Sequence, residues 1–228
     1  MRPGERTGRR QWTAEASLAA CAGATDLLAV VTHGGAFASV VTGNLVLIGY
    51  SVVRADLSFL MRPGTAVAGY ALGAAAWLLA WRSRPRALIA QLAAELALLA
   101  IVAAGWLLTD GHPGTAAGIA LLAGASAAMG AQSAASLRLG TATTYLTGTL
   151  TRVLNDLVSG RRGHRGTALR ELGALVAGAV TTGLLLLHLR WAAPLLPVLL
   201  LALAIAALAR AGRRPDRLDD RVGPETHH

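Results

Sequence analysis

Charge is missing from long stretches of this chain, and that absence does most to limit its fold. Charged residues gather at 1–10, 82–86, 161–171 and 210–225, and the stretches between them carry almost none. A helix in water needs polar groups along its outer face. A bilayer reverses the demand, because an uncompensated charge at its centre costs several kcal/mol. Only 14% of the residues are charged and 54% are apolar, whereas a soluble domain is about a quarter charged.

About 20 apolar residues cross the hydrocarbon core as a helix. Six segments qualify: 14–33, 63–80, 86–108, 112–136, 167–188 and 191–209. Pro194 and Pro197 fall at the start of the last one, where missing amide donors matter least. Two further apolar segments, Phe37–Val53 and Thr141–Leu157, either span or enter the bilayer as broken or re-entrant helices.

Arginine placement separates the two counts. The net charge is +9, and all 21 basic residues are Arg. They bracket apolar runs as cytoplasmic loops do, a pattern unlike a nucleic-acid-binding face. With Arg9 and Arg10 inside and six spans, Arg82, Arg84, Arg86, Arg161, Arg162, Arg165, Arg210, Arg213 and Arg214 all fall inside. The Asp110 loop then falls outside, and only Arg54, Arg62 and Arg190 accompany it. Eight spans would move Arg82, Arg84 and Arg86 outside. Six spans, both ends cytoplasmic, in a bacterial inner membrane is the expected topology.

The run after Arg9 and Arg10 exceeds a signal-peptide core and reads as a retained first span. Residues 12–209 form one membrane domain and 210–228 a polar cytoplasmic tail. Cys21 is the lone cysteine, which rules out an internal disulfide.

The order of elements repeats. A span, a Thr-Gly-polar segment and two more spans occur twice, in halves of about 12–108 and 112–209. Thr42-Gly43-Asn44 is matched by Thr147-Gly148-Thr149, 105 positions later, and Asp26 upstream of the first by Gln132 upstream of the second. Three spans per half turn the second copy over, giving an inverted repeat of the kind used by secondary transporters.

Several polar residues sit where hydrocarbon makes them costly. Asp26 lies inside the first span, and Glu95 inside the third with Gln91 one turn before it. An intramembrane acid marks a functional site by default; the alternative is a structural tie between helices. Gly43 permits a break or a close approach, Thr42 is placed to cap the following short helix, and Asn44 adds donor and acceptor chemistry. The candidate substrate- or ion-binding set is Asp26, Thr42, Gly43, Asn44, Glu95, Gln132, Thr147, Gly148, Thr149 and Asp156. His33 and the Gly34-Gly35 pair follow the first span, and the two glycines should end it. Gly124, Ala128 and Gly130 read as a helix-packing face.

Asp26, then Gly34-Gly35-Ala36-Phe37 and Thr42-Gly43-Asn44, then Gly130-Ala131-Gln132 and Thr144-Tyr145-Leu146-Thr147-Gly148-Thr149, form a series. Over residues 12–209 it resembles the YoaK-type bacterial membrane proteins, the DUF1275 family of unknown function. Relatives often place Asn after the Gln, where this chain has Ser133. The resemblance implies a multi-span inner-membrane protein and carries no settled activity.

The leading expectation is a transporter of a small solute or ion, with membrane lipid and that solute as partners and room for a homo-oligomer. A structural or accessory subunit is the rival. An intramembrane enzyme ranks below both, because no catalytic residue, metal-binding helix or nucleophile turn stands out. No cofactor is expected.

Overall fold

The computed structural model describes residues 3–32, 34–82, 87–139, 146–159 and 165–212. Among these, eight α-helices follow in order: α1 (Pro3–Thr32), α2 (Val41–Arg54), α3 (Leu57–Ala80), α4 (Leu88–Leu107), α5 (Thr115–Leu139), α6 (Leu146–Val158), α7 (Arg165–His188) and α8 (Leu195–Gly212). A short 3₁₀ turn, Arg190–Ala192, precedes α8. Six segments are long and apolar enough to cross a membrane: Gln11–Thr32, Leu57–Ala80, Leu88–Leu107, Thr115–Arg138, Gly166–His188 and Arg190–Ala211. The 14 residues of α2 reach only about 21 Å, short of the roughly 30 Å hydrocarbon core. The protein is an all-α, polytopic membrane protein with six spans.

Large aliphatic side chains cover the surface, while several polar ones are buried among an apolar core. Val46, Leu72, Ile101, Leu187 and Leu199 lie exposed on the outside, while Gln91, Glu95, Ser126 and Gln132 are buried. Water would reject that arrangement, and lipid favours it.

The third helix begins six residues before Pro63, at Leu57, rather than at the proline itself. The carboxylate of Asp56 causes the difference. It accepts the Phe59 amide at 3.0 Å and the Ser58 hydroxyl at 2.6 Å, which satisfies donors that a helix start leaves open. Pro63 is then carried inside the helix, where it withholds one amide.

Small residues let the helices meet backbone to backbone. Gly69 faces Ala123 and Gly73 faces Ala127, while Gly130 abuts the Tyr70 carbonyl. The first two pairs advance four residues along both helices, so α3 and α5 run in the same direction. Gly23 abuts the Leu175 carbonyl and Gly178 the Ala20 carbonyl, which seats α1 on α7. Gly105 faces Leu121 and Gly124 faces Val102, so α4 runs antiparallel to α5. The remaining packing joins α1 to α8 and α5, α4 to α8, α2 to α3 and α6 to α7. Helices α1, α4, α5 and α8 thus form the centre. Helices α3 and α7 flank it, and α2 and α6 lie against those flanks.

One rim carries a clasp between two connections. Arg190 donates from Nε to the Gly111 carbonyl at 2.8 Å, and Trp106 donates from Nε1 to the Arg190 carbonyl at 3.2 Å. The Arg190 guanidinium lies 5.5 Å from the centre of the Trp106 ring, a cation–π geometry.

Replacing Gly130 with Val drives a side chain into the α3 backbone and should lower unfolding stability by about 1–3 kcal/mol. Gly148, with open space around it, should accept Ala with stability unchanged or slightly raised. Denaturant unfolding in detergent micelles compares the two. The hydrogen bond from Ser58, then that from the Phe59 amide, holds the Asp56 carboxyl below its ordinary range. A lowered carboxyl contributes stability above the unfolded value and loses it as pH falls through the folded one. The midpoint difference between wild type and Asp56→Ala should therefore be full at neutral pH and vanish in acid, below the usual aspartate range.

Candidate functional site

Helix α1 stops at Thr32, and Gly34 and Gly35 follow with φ of 80° and 89°. That left-handed region suits glycine and strains other residues. The Arg62 guanidinium lies against Gly34, so a Cβ there would have to displace it. The chain then turns back toward the bundle. Two side chains determine how far it returns.

Asp26, in α1, accepts the Ser39 amide at 2.7 Å and the Ser39 hydroxyl at 2.6 Å. Asp26 sits six residues before the end of α1, about 9 Å along the helix axis. The segment 34–40 therefore folds back alongside the last turns of α1 before α2 begins. Asn44, in the first turn of α2, is 1% exposed. Its Oδ1 accepts the Phe37 amide at 2.9 Å and its Nδ2 donates to the Phe37 carbonyl at 2.7 Å. Asp26 and Asn44 are thus brought together on one irregular segment and satisfy its backbone. Gly35 adds an amide bond back to the Val30 carbonyl at 2.9 Å.

Thr42 takes a different position. The helix begins at Val41 with Val40 as its N-terminal cap residue and no side-chain cap bond. Thr42 therefore does not cap α2, and it lies exposed on the outer surface. Residues two apart on a helix point to nearly opposite sides, so burying Asn44 turns Thr42 outward. Gly43 lies between them, near Phe37 and Val40.

A second group lies among the central helices. Glu95 is completely buried in α4, with Gln91 one turn before it on the same side. Trp77 donates from its indole to the Gln91 backbone carbonyl at 3.3 Å. Gln132, also fully buried, donates from Nε2 to the Leu18 carbonyl of α1 at 3.0 Å. One turn beyond Leu18 is Cys21, which is buried and within electrostatic reach of both Glu95 and Asp26. The candidates thus divide into a loop-holding pair, Asp26 with Asn44, and a central pair, Glu95 with Gln132.

The candidates of the second Thr-Gly segment belong to α6, which lies on α7. Gly148 is exposed and Asp156 half-buried. The side chains of Thr147 and Thr149 lie outside the described residues, as do residues 141–145 and His33. Among the described residues no group of three or more His, Cys, Asp or Glu is arranged to hold a metal ion.

Sequence reasoning missed Ser39 and the Phe37 backbone, which answer the two buried polar side chains. The available signal was Gly34-Gly35. A chain that breaks with two glycines eight and nine residues beyond a buried acid can bring a following hydroxyl back to it.

Six apolar spans enclosing buried carboxylates and amides define a multi-pass α-helical membrane protein. Residues 16–208 match the family described as "Protein of unknown function (DUF1275)", and the chain belongs to it. No curated protein and no solved structure matches the chain.

Removing the Asn44 amide should leave the Phe37 peptide unanswered in the bilayer. Asn44→Leu is expected to cost about 2–4 kcal/mol and to release the 34–40 segment. A cysteine at Phe37 should then label with a water-soluble thiol reagent faster than in the parent. Asp26→Asn keeps one acceptor of two and should cost about 1–3 kcal/mol in the same unfolding assay.

Proposed function

We propose that this protein is a transporter of a small solute or ion, built as an inverted repeat in a bacterial inner membrane. The halves are 12–108 and 112–209, both termini are cytoplasmic, and 210–228 is a polar cytoplasmic tail. Lipid surrounds the bundle.

The observation that carries this reading is the exchange of packing partners. Let α1 correspond to α5, α2 to α6, α3 to α7 and α4 to α8. The contact of α3 with α5 then becomes that of α7 with α1, α4 with α5 becomes α8 with α1, and α2 with α3 becomes α6 with α7. The contacts of α4 with α8 and of α1 with α5 map onto themselves. The small residues follow the same rule. Gly23 and Gly130 are 107 positions apart, as are Ala20 and Ala127, while Gly73 and Gly178 are 105 apart, as are Tyr70 and Leu175. The Gly73–Ala127 contact is thereby carried onto Gly178–Ala20, and Gly130–Tyr70 onto Gly23–Leu175. Chance similarity between alanine-rich helices has no reason to conserve both members of each contact.

Three spans per half make such a relation a rotation about an axis in the membrane plane, the plan of many secondary transporters. Helices α2 and α6 act as the re-entrant elements. The return of segment 34–40 to Asp26 supports that role for α2. Alternating access then follows from rocking α3 and α7, which slide on glycine faces, about the central four helices. Asp26, Gly43, Asn44, Glu95, Gln132 and Asp156 are the candidate contacts for the solute or ion, with Thr42, Thr147, Gly148 and Thr149 on the re-entrant helices.

The rival reading is a structural or accessory subunit. It draws on the hydrogen bonds of Asp26 and Asn44, which tie a loop to a helix and need no solute.

Purified protein in liposomes should show saturable flux across a panel of solutes and ions, and reporter fusions within 82–86 should be active only on the cytoplasmic side. No flux across the panel, with one stable partner co-purifying, would favour the subunit reading. Periplasmic reporters would overturn the inverted topology.

A further inference from the structure

Among the described residues, six buried side-chain atoms have no hydrogen-bond partner: Gln91 Oε1, both carboxylate oxygens of Glu95, Ser126 Oγ, Gln132 Oε1 and Thr182 Oγ1. All six are oxygens, and the four on Gln91, Glu95 and Gln132 have no proton of their own when the acid is ionised. Leaving such acceptors unpaired in the interior costs several kcal/mol. A native structure that keeps them normally supplies what they lack.

Two of these residues, Glu95 and Gln132, share one level and one neighbourhood with Leu18. Glu95 lies seven residues from the start of α4, and Gln132 seven from the end of α5. Leu18, which holds the Gln132 amide, lies seven beyond Gln11, where the α1 span begins. Each is about 10 Å from the same end of the bundle. Cys21, one turn from Leu18, is within electrostatic reach of Glu95. Gln91 adds its oxygen one turn below Glu95. Anchoring Nε2 on the Leu18 carbonyl fixes the Gln132 amide and leaves its Oε1 as the free end.

Among the described residues, no positive group answers these oxygens. From α1 the titratable groups are Glu15, which accepts from the Gln11 amide at 3.2 Å, Cys21 and, farther along, Asp26. The α5 neighbours Ser126 and Gln132 are uncharged, and Arg138, near the end of α5, donates to the Trp81 carbonyl at 2.8 Å. From α8 come apolar Leu201 and Ala204, with Arg210 six residues beyond Ala204, toward the end of the bundle that Glu95 lies nearest. From α3 comes the Trp77 indole, already donated to the Gln91 backbone. The acid also occurs in only one half: the α8 stretch 199–203, which corresponds to the Glu95 region of α4, is four leucines and an alanine. A scaffold element of a repeat is expected in both copies.

We infer that Glu95, Gln91 and Gln132 form an intramembrane cation site, holding a proton or an alkali metal ion, between α1, α4 and α5. A proton on Glu95 converts one orphan oxygen into a donor for a glutamine carbonyl. A sodium or potassium ion takes the carboxylate and both amide oxygens as ligands. The identification of this cation as the coupling ion rests on the transporter reading; the site itself does not.

The test is infrared difference spectroscopy on the purified full-length chain in lipid nanodiscs, with sodium and potassium titrations and a parallel assay of sodium-ion binding. If the site holds a proton, wild type shows a protonated-carboxyl stretch that shifts in heavy water and is missing from Glu95→Gln. If it holds an alkali ion, that stretch is weak or bleaches on titration, and saturable binding of one ion is lost in Glu95→Gln. The less disruptive Gln132→Leu should weaken alkali affinity about tenfold, or move the carboxyl titration by about one pH unit, while the thermal midpoint persists. An ionised carboxylate at Glu95 with no alkali-dependent signal, or signals indifferent to both substitutions, overturns the assignment. Because binding is read without flux, an intact Glu95 signal with no liposome transport rejects the transporter and keeps the site. Flux with no Glu95 signal does the reverse.

Discussion

A peptide group left unpaired in hydrocarbon costs several kcal/mol, which is why lipid-exposed backbone is helical. Segment 34–40 breaks that rule and is the place on which the arrangement of the first half depends. Asp26 and Asn44 make the break tolerable. One accepts the amide and hydroxyl of Ser39, and the other closes a two-way amide pair with Phe37. Their burial is therefore explained by the backbone they satisfy. With the loop pinned, α2 must start beside the upper turns of α1 and return to the surface as a short helix against α3.

The rest of the bundle is held by a different device. Lipid tails are as apolar as leucine, so burying leucine between helices gives little net drive in a membrane. Close approach of backbones does more, and it requires residues without side-chain bulk. Gly23 and Gly178 serve between α1 and α7, as Gly73 and Gly130 do between α3 and α5. Large aliphatic side chains accordingly face outward, and the interior is rich in alanine.

The spans were legible in the sequence because charge is costly in the bilayer and the chain places it in clusters. Their boundaries were less so. Pro63 reads as a helix start, but the helix capped by Asp56 begins six residues earlier, at Leu57, and hydropathy does not register a cap. Arg54, Arg62 and Arg190, the three arginines that fit the topology least, all prove engaged. Arg54 donates to the Tyr50 hydroxyl at 2.9 Å, Arg62 lies against Gly34 and Arg190 is clasped to Trp106 and Gly111. The polar residues were legible as costly, but their partners were not. Ser39 meets Asp26 only because the chain doubles back, and Thr42 and Asn44 part company because the helix phase sends neighbours two apart to opposite sides. What answers Glu95 is illegible by nature, since a pattern of residues does not list what they bind.

The Arg190 clasp has a mechanical consequence. It joins the connection after α4 to the connection before α8 through a buried tryptophan and two backbone carbonyls. Hinges form where a few groups stay fixed while their surroundings turn, and this rim is stitched while the opposite one ends in arginine-bearing connections. Any relative motion of α4 and α8 would therefore be smallest beside Trp106 and largest at the opposite end of the bundle, with the stitched rim as its fulcrum.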